Sequence, residues 1–179
     1  MTRVRPSIGD PSQIVLVAHS GAGMILPLLR YALVLPVAAY VFVDAVVPSD
    51  GMDPNADGYF DSIAVDGLIP PFTDQVLRAI GIEDDDLRAH FVDELRPLPL
   101  AVYRERIRVP TGWPDAPCAF LRFTKTIASA YEPSAHRAKL DRWPYRELEG
   151  GHFHMLVDPD AVASAIIALT QECVVTHHQ

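Results

Sequence analysis

Four short runs along the chain are apolar without alternation: Gln13–Ala18, Tyr40–Asp44, Cys118–Phe123 and, more weakly, Trp143–Leu148. Runs of that kind predict strands buried on both faces. Between the first two lies Gly21 to Leu35, apolar nearly all round and therefore expected to form a buried helix. Pro27 inside it should kink or restart that helix. The last helix is clearer. In "DPDAVASAIIALTQEC", Asp158 suits the N-cap, Pro159 the first helical position and Asp160 the positive end of the helix dipole. Val162, Ile166 and Ile167 then make one apolar stripe.

Strands alternating with helices, without hairpin signals, predict a parallel sheet. The stretch 46–117 breaks that rhythm. It is rich in proline, glycine and aspartate, with helices expected around Thr73–Ile80 and Asp84–Leu95. An insertion so much longer than an ordinary loop reads as a cap or lid. The expected architecture is one α/β domain over 1–179, a short parallel sheet flanked by helices, with 46–117 inserted.

Composition narrows the partners. The net charge of −8 argues against nucleic acid or an anionic membrane surface. No apolar run approaches the roughly 20 residues of a membrane span. The start "MTRVRPSIGDPSQ" has positive charge but no apolar stretch, so no secretory signal is visible and a cytoplasmic location is expected. The two cysteines, Cys118 and Cys173, read as buried thiols in a reducing compartment.

The candidate chemistry begins where the first strand ends. "VLVAHSGAG" puts Ser20 between small residues, Ala18 before and Gly21 and Ala22 after, as a turn too tight for bulk requires. This block resembles the nucleophile elbow of α/β-hydrolases, a strand, sharp turn and helix carrying G-x-S-x-G, here with alanine at both flanks. "LEGGHFHMLVDPDAVASAI" is similar to the family's histidine loop before the terminal helix, and "YVFVDAVVPSDG" to the strand after the nucleophile helix. The resemblance implies a partial α/β-hydrolase fold with Ser20 as nucleophile and His152 as general base. It also implies the Gly21 N–H as one oxyanion donor. The orienting acid is open between Asp44, at the end of its strand, and Glu132, with Asp44 preferred. "RFTKT" holds no carboxylate where the family usually places one.

His19 and His154 are pocket candidates. An H-x-H pair could ligate metal, but no third ligand is evident, and His177–His178 is too short to count as a site; no metal or cofactor is expected. Phe72, Tyr103 and Trp113 could line a pocket or belong to the core.

Complete members of the family carry several strands before the elbow strand. This chain reaches its elbow by Ser20 and so resembles an N-terminally truncated form. Gln13–Ala18 would then form an open edge, and an apolar edge strand invites pairing, so a homodimer through 13–18 is expected. The function implied is a serine hydrolase of esters or thioesters of an apolar small molecule, with weak activity allowed for. The alternatives are a non-hydrolytic lyase, cyclase or dehydratase, and a non-catalytic protein that binds a ligand or partner.

Overall fold

The structure is a computed structural model describing residues 12–127 and 131–176. The basic start of the chain and His177–His178 lie outside the described residues. Strand β1 (Ile14–Ser20) leads into a 3-10 turn (Gly21–Ile25) and helix α1 (Leu26–Ala32), followed by β2 (Val37–Ala45). The inserted stretch contributes α2 (Tyr59–Ile63), β3 (Leu68–Ile69), α3 (Asp74–Ala79), α4 (Asp85–Glu94), β4 (Leu98–Pro99) and α5 (Ala101–Arg104). Then come β5 (Cys118–Phe123), α6 (Glu132–Leu140), β6 (Tyr145–Leu148), α7 (His154–Val157) and α8 (Pro159–Thr176).

The main sheet has four parallel strands in the order β1-β2-β5-β6. Its central strands are buried on both faces, as their unbroken apolar runs require. Tyr40, Phe42 and Phe120 pack to one side with Leu26 of α1 and Ala135 and Ala138 of α6. Val41, Val43, Leu121 and Phe123 pack to the other with Val162, Leu169 and Cys173 of α8. The result is three layers. Each of the large buried side chains contributes about 1.5–3 kcal/mol.

Helix starts follow their caps. Thr73 accepts a hydrogen bond from Val76 N, Asp84 from Leu87 N, and Asp158 from Ala161 N. The expected helix over Gly21–Leu35 opens as a 3-10 turn and, as Pro27 predicts, restarts as a short α-helix at Leu26–Pro27. It is not buried all round: Leu28, Leu29 and Tyr31, and Val34 just beyond, are exposed. Its apolar outer face has no cover among the described residues. In the insertion, β3 and β4 form a small antiparallel pair, and a buried Arg88 ties α4 to Asp74 of α3. Trp113 packs edge-on against Tyr40 and Phe42, so it belongs to the core.

Among the described residues no helix is long and apolar enough to cross a membrane.

Candidate active site

All the groups that carry chemistry gather at the C-terminal ends of the parallel strands. β1 ends on Ser20, whose backbone adopts φ 57° and ψ −134°. A positive φ at a non-glycine residue is strained, and here two contacts hold it. The Ser20 carbonyl accepts from Val46 N at 3.0 Å. A Cβ on Gly23 would lie 2.0 Å from the Val46 carbonyl oxygen. The position after the serine with no room for a side chain is therefore Gly23; Ala22 is exposed. The turn is the sharp strand-to-helix bend of a nucleophile elbow.

Asp44, the last residue but one of β2, is also at positive φ (42°) and wholly buried. Its carboxylate is heavily supplied with donors. Oδ2 accepts from Thr126 Oγ1 at 2.6 Å and lies 2.8 Å from His152 Nδ1. Oδ1 accepts from Phe123 N at 3.4 Å, and Arg122 Nε stands 3.9 Å away. A buried carboxylate needs such partners to remain ionised. Since an ionised carboxylate only accepts, Nδ1 of His152 carries the proton and Nε2 is left with a lone pair.

His152 rides on the loop after β6, and the two glycines before it have separate reasons. A Cβ on Gly150 would strike the His154 ring at 2.3 Å, and one on Gly151 would strike the Ile80 carbonyl at 2.1 Å. The second close approach seats the end of α3, part of the insertion, directly on the histidine loop.

The imidazole is sandwiched. Tyr131 stacks on it with centroids 4.7 Å apart at 15°, and His19 lies 4.3 Å away, tilted. His19 Nε2–H donates to the His152 carbonyl at 2.8 Å, which fixes the loop. Burial, then the neighbouring His152, lowers the His19 pKa to about 4, so this ring stays neutral at ordinary pH.

The Tyr131 hydroxyl stands between serine and histidine, 2.8 Å from Ser20 Oγ and 3.2 Å from His152 Nε2. No direct Ser20–His152 hydrogen bond is formed. Tyr103, from α5, holds its hydroxyl 3.9 Å from where a Gly21 Cβ would be, and so overlooks the elbow.

Ser20, His152 and Asp44, singled out in the sequence, thus converge, with Gly21 beside them. Glu132 does not join them: its carboxylate pairs with Arg122 Nη2 at 3.0 Å. His154 packs on Gly150 and edge-on to Phe123. Phe72 is half-exposed and meets Phe153. Sequence reasoning missed Tyr131, Thr126 and Arg122. Thr126 occupies the place searched for a carboxylate and supplies a donor to Asp44 instead. A pocket at the opposite end of the sheet, lined by Gln13, Val37, Asp115 and Val174 among others, includes none of these groups.

Elbow, sheet order and histidine loop together define an α/β-hydrolase architecture. The chain belongs to the alpha/beta hydrolase family, whose model matches residues 2–165. Among curated proteins none matches significantly. Solved structures do. An extracellular α/β-hydrolase from a Paenibacillus species superposes with TM-score 0.71 at 17% identity, over 87% of this chain and 71% of that one. Tomato methylketone synthase I gives 0.66 at 15%, over 92% and 74%. A methylesterase from Arabidopsis gives 0.62 at 14%, over 92% and 72%.

Proposed function

We propose that this protein is a serine hydrolase that cleaves esters or thioesters of apolar small molecules. The observation that carries the reading is a continuous hydrogen-bonded chain from a strained, elbow-borne Ser20 to a buried Asp44, passing through His152. Ser20 Oγ attacks the acyl carbon, and His152 takes up the proton and later returns it to the leaving group. Asp44 holds the imidazole in the productive tautomer and stabilises its cation. The Gly21 N–H, first residue after the nucleophile, faces the developing oxyanion. The aromatic residues of the insertion near the elbow, Tyr103 stacked on Phe60 at 3.8 Å, suit an apolar acyl or alcohol group.

A panel of p-nitrophenyl esters of increasing acyl length tests this. Turnover should exceed the buffer rate, and Ser20→Ala and His152→Ala should each abolish the excess. Turnover that survives Ser20→Ala would exclude Ser20 as nucleophile.

One observation favours a second reading: the partner of His152 Nε2 is a phenol rather than the serine. In a lyase, cyclase or dehydratase, His152 acts directly as base on the substrate without an acyl-enzyme. Ser20→Ala then keeps much of the activity while His152→Ala loses it.

We further propose that a second copy of the chain covers the β1 edge. The strand carries no charge, its Val17 is 48% exposed, and apolar side chains on α1 are exposed nearby in sequence. Light scattering coupled to gel filtration should return twice the mass of the chain; a monomeric mass at micromolar concentration would exclude the pairing.

A further inference from the structure

We propose that the Tyr131 hydroxyl relays the proton from Ser20 to His152, making Tyr131 a catalytic residue of the site. The inference rests on the serine-hydrolase reading above and concerns how its nucleophile is activated.

The direction of every hydrogen bond in the chain follows from one end. Asp44 Oδ2 accepts from Thr126 Oγ1 and from His152 Nδ1–H. His152 Nε2 in the neutral ring can therefore only accept, and its one neighbour at hydrogen-bonding distance among the described residues is Tyr131 OH, 3.2 Å away. Tyr131 thus donates to His152. Its oxygen is left to accept, and Ser20 O–H, 2.8 Å away, is the donor that reaches it. The geometry is that of an aligned proton wire: serine to phenol, phenol to imidazole, imidazole to carboxylate.

Two further observations single out this tyrosine. Its ring lies nearly parallel to the imidazole, which fixes where the hydroxyl points. It also occupies the N-cap of α6, where serine, threonine, aspartate or asparagine is preferred, and makes no side-chain cap bond. A local rule broken in this way commonly marks a functional position. Burial holds the phenol above its ordinary pKa despite the hydrogen bond from Ser20. Between transfers it therefore stays a neutral phenol, which passes a proton without storing charge.

The steps balance. As Ser20 Oγ bonds to the acyl carbon, the carbonyl π pair moves to its oxygen. The Ser20 proton passes to Tyr131 Oη, and the original Tyr131 proton passes to His152 Nε2. When the tetrahedral intermediate collapses, the C=O re-forms and the bond to the leaving oxygen or sulfur breaks. Tyr131 protonates the leaving group and is reprotonated by His152. Water then repeats the sequence on the acyl-enzyme.

The experiment follows phosphonylation of Ser20 by a fluorophosphonate, by intact mass, in the unsubstituted protein and in Tyr131→Phe. The ring stack is kept and only the relay oxygen is removed. A roughly 100-fold or greater slowing is expected, in the range that general acid–base catalysis supplies. Equal or faster labelling of Tyr131→Phe would overturn the relay and make Tyr131 a latch over a direct serine–histidine pair, leaving the hydrolase reading intact. No labelling of either protein would remove both. A second readout needs no variant. The rate of p-nitrophenyl ester hydrolysis by the unsubstituted protein, in mixtures of light and heavy water, should bow below a straight line, because more than one proton moves. A straight line would overturn the relay.

Discussion

At the Asp44 end of the hydrogen-bonded chain each carboxylate oxygen is supplied: Thr126 and His152 on one, the Phe123 amide and the Arg122 guanidinium on the other. At the Ser20 end the hydroxyl meets one partner among the described residues, the Tyr131 phenol. The first end is built from the tips of adjacent central strands, so the same sheet register that forms the core also aims the carboxylate. The second depends on a residue at the start of α6. The difference follows from what each end has to do. A buried charge without partners would cost several kcal/mol and must be satisfied before any substrate arrives. A hydroxyl that is to react is better left with one exchangeable partner.

Breaking the supplied end should have the largest effect. Asp44→Asn keeps the shape but turns an acceptor toward a donor, favouring the wrong tautomer of His152 and reversing the chain as far as Tyr131. A loss of about 10⁴ in kcat for p-nitrophenyl ester hydrolysis is expected. A loss under tenfold would mean that the acid does not orient the base.

The histidine packed beside the chain gives the next effect. Because the His19 pKa is depressed to about 4 in the fold, the folded state resists a proton that the unfolded chain takes up near 6.5. Its contribution is complete above pH 6.5 and is lost as pH falls toward 4, by roughly 3 kcal/mol at most. Urea midpoints at pH 7 and 4.5 should fall more for the unsubstituted protein than for His19→Gln. Equal falls would contradict the assignment.

Gly151→Ala places a Cβ against the Ile80 carbonyl and should prise the insertion from the histidine loop, at about 1–3 kcal/mol, read as a lower thermal midpoint. Thr126→Val removes one donor from Asp44 and should cost about 1 kcal/mol in stability, measured by urea unfolding. The smallest effect on stability, under about 0.5 kcal/mol, is expected for Val17→Lys on the outer edge. The same change should turn a dimer into a monomer by light scattering.

That last prediction draws on a second contrast. β6, at the other edge, is the sequence Tyr-Arg-Glu-Leu, with Arg146 paired to Glu172 and Glu147 to Lys139. Charges of this kind blunt an edge. β1 has none, and is composed like an interior strand.

The sequence made the central strands legible because their apolar runs are unbroken and because a strand buried on both faces has no other pattern. The helices starting near Thr73 and Asp84, and the cap at Asp158, were equally plain. After the elbow, Pro27 marks where the helix restarts, but the all-round burial expected there fails, since an apolar circumference assumes a covered outer face, and the described residues supply none. In the site, Ser20 and His152 carried local signatures in the small-residue turn and the paired glycines. Asp44 was visible only as one of two carboxylates, because register against β5, rather than spacing, brings it beneath the imidazole. Tyr131 had no signature. A tyrosine before Glu132-Pro133 looks like any helix approach until the fold lays it over His152.

The most direct test of the central claim, that Ser20 is a nucleophile served by His152, is active-site titration with a fluorophosphonate followed by peptide mapping. The account predicts one adduct per chain, on Ser20, absent in Ser20→Ala and slowed by orders of magnitude in His152→Ala. An adduct at another residue, or none on the folded protein, would contradict it.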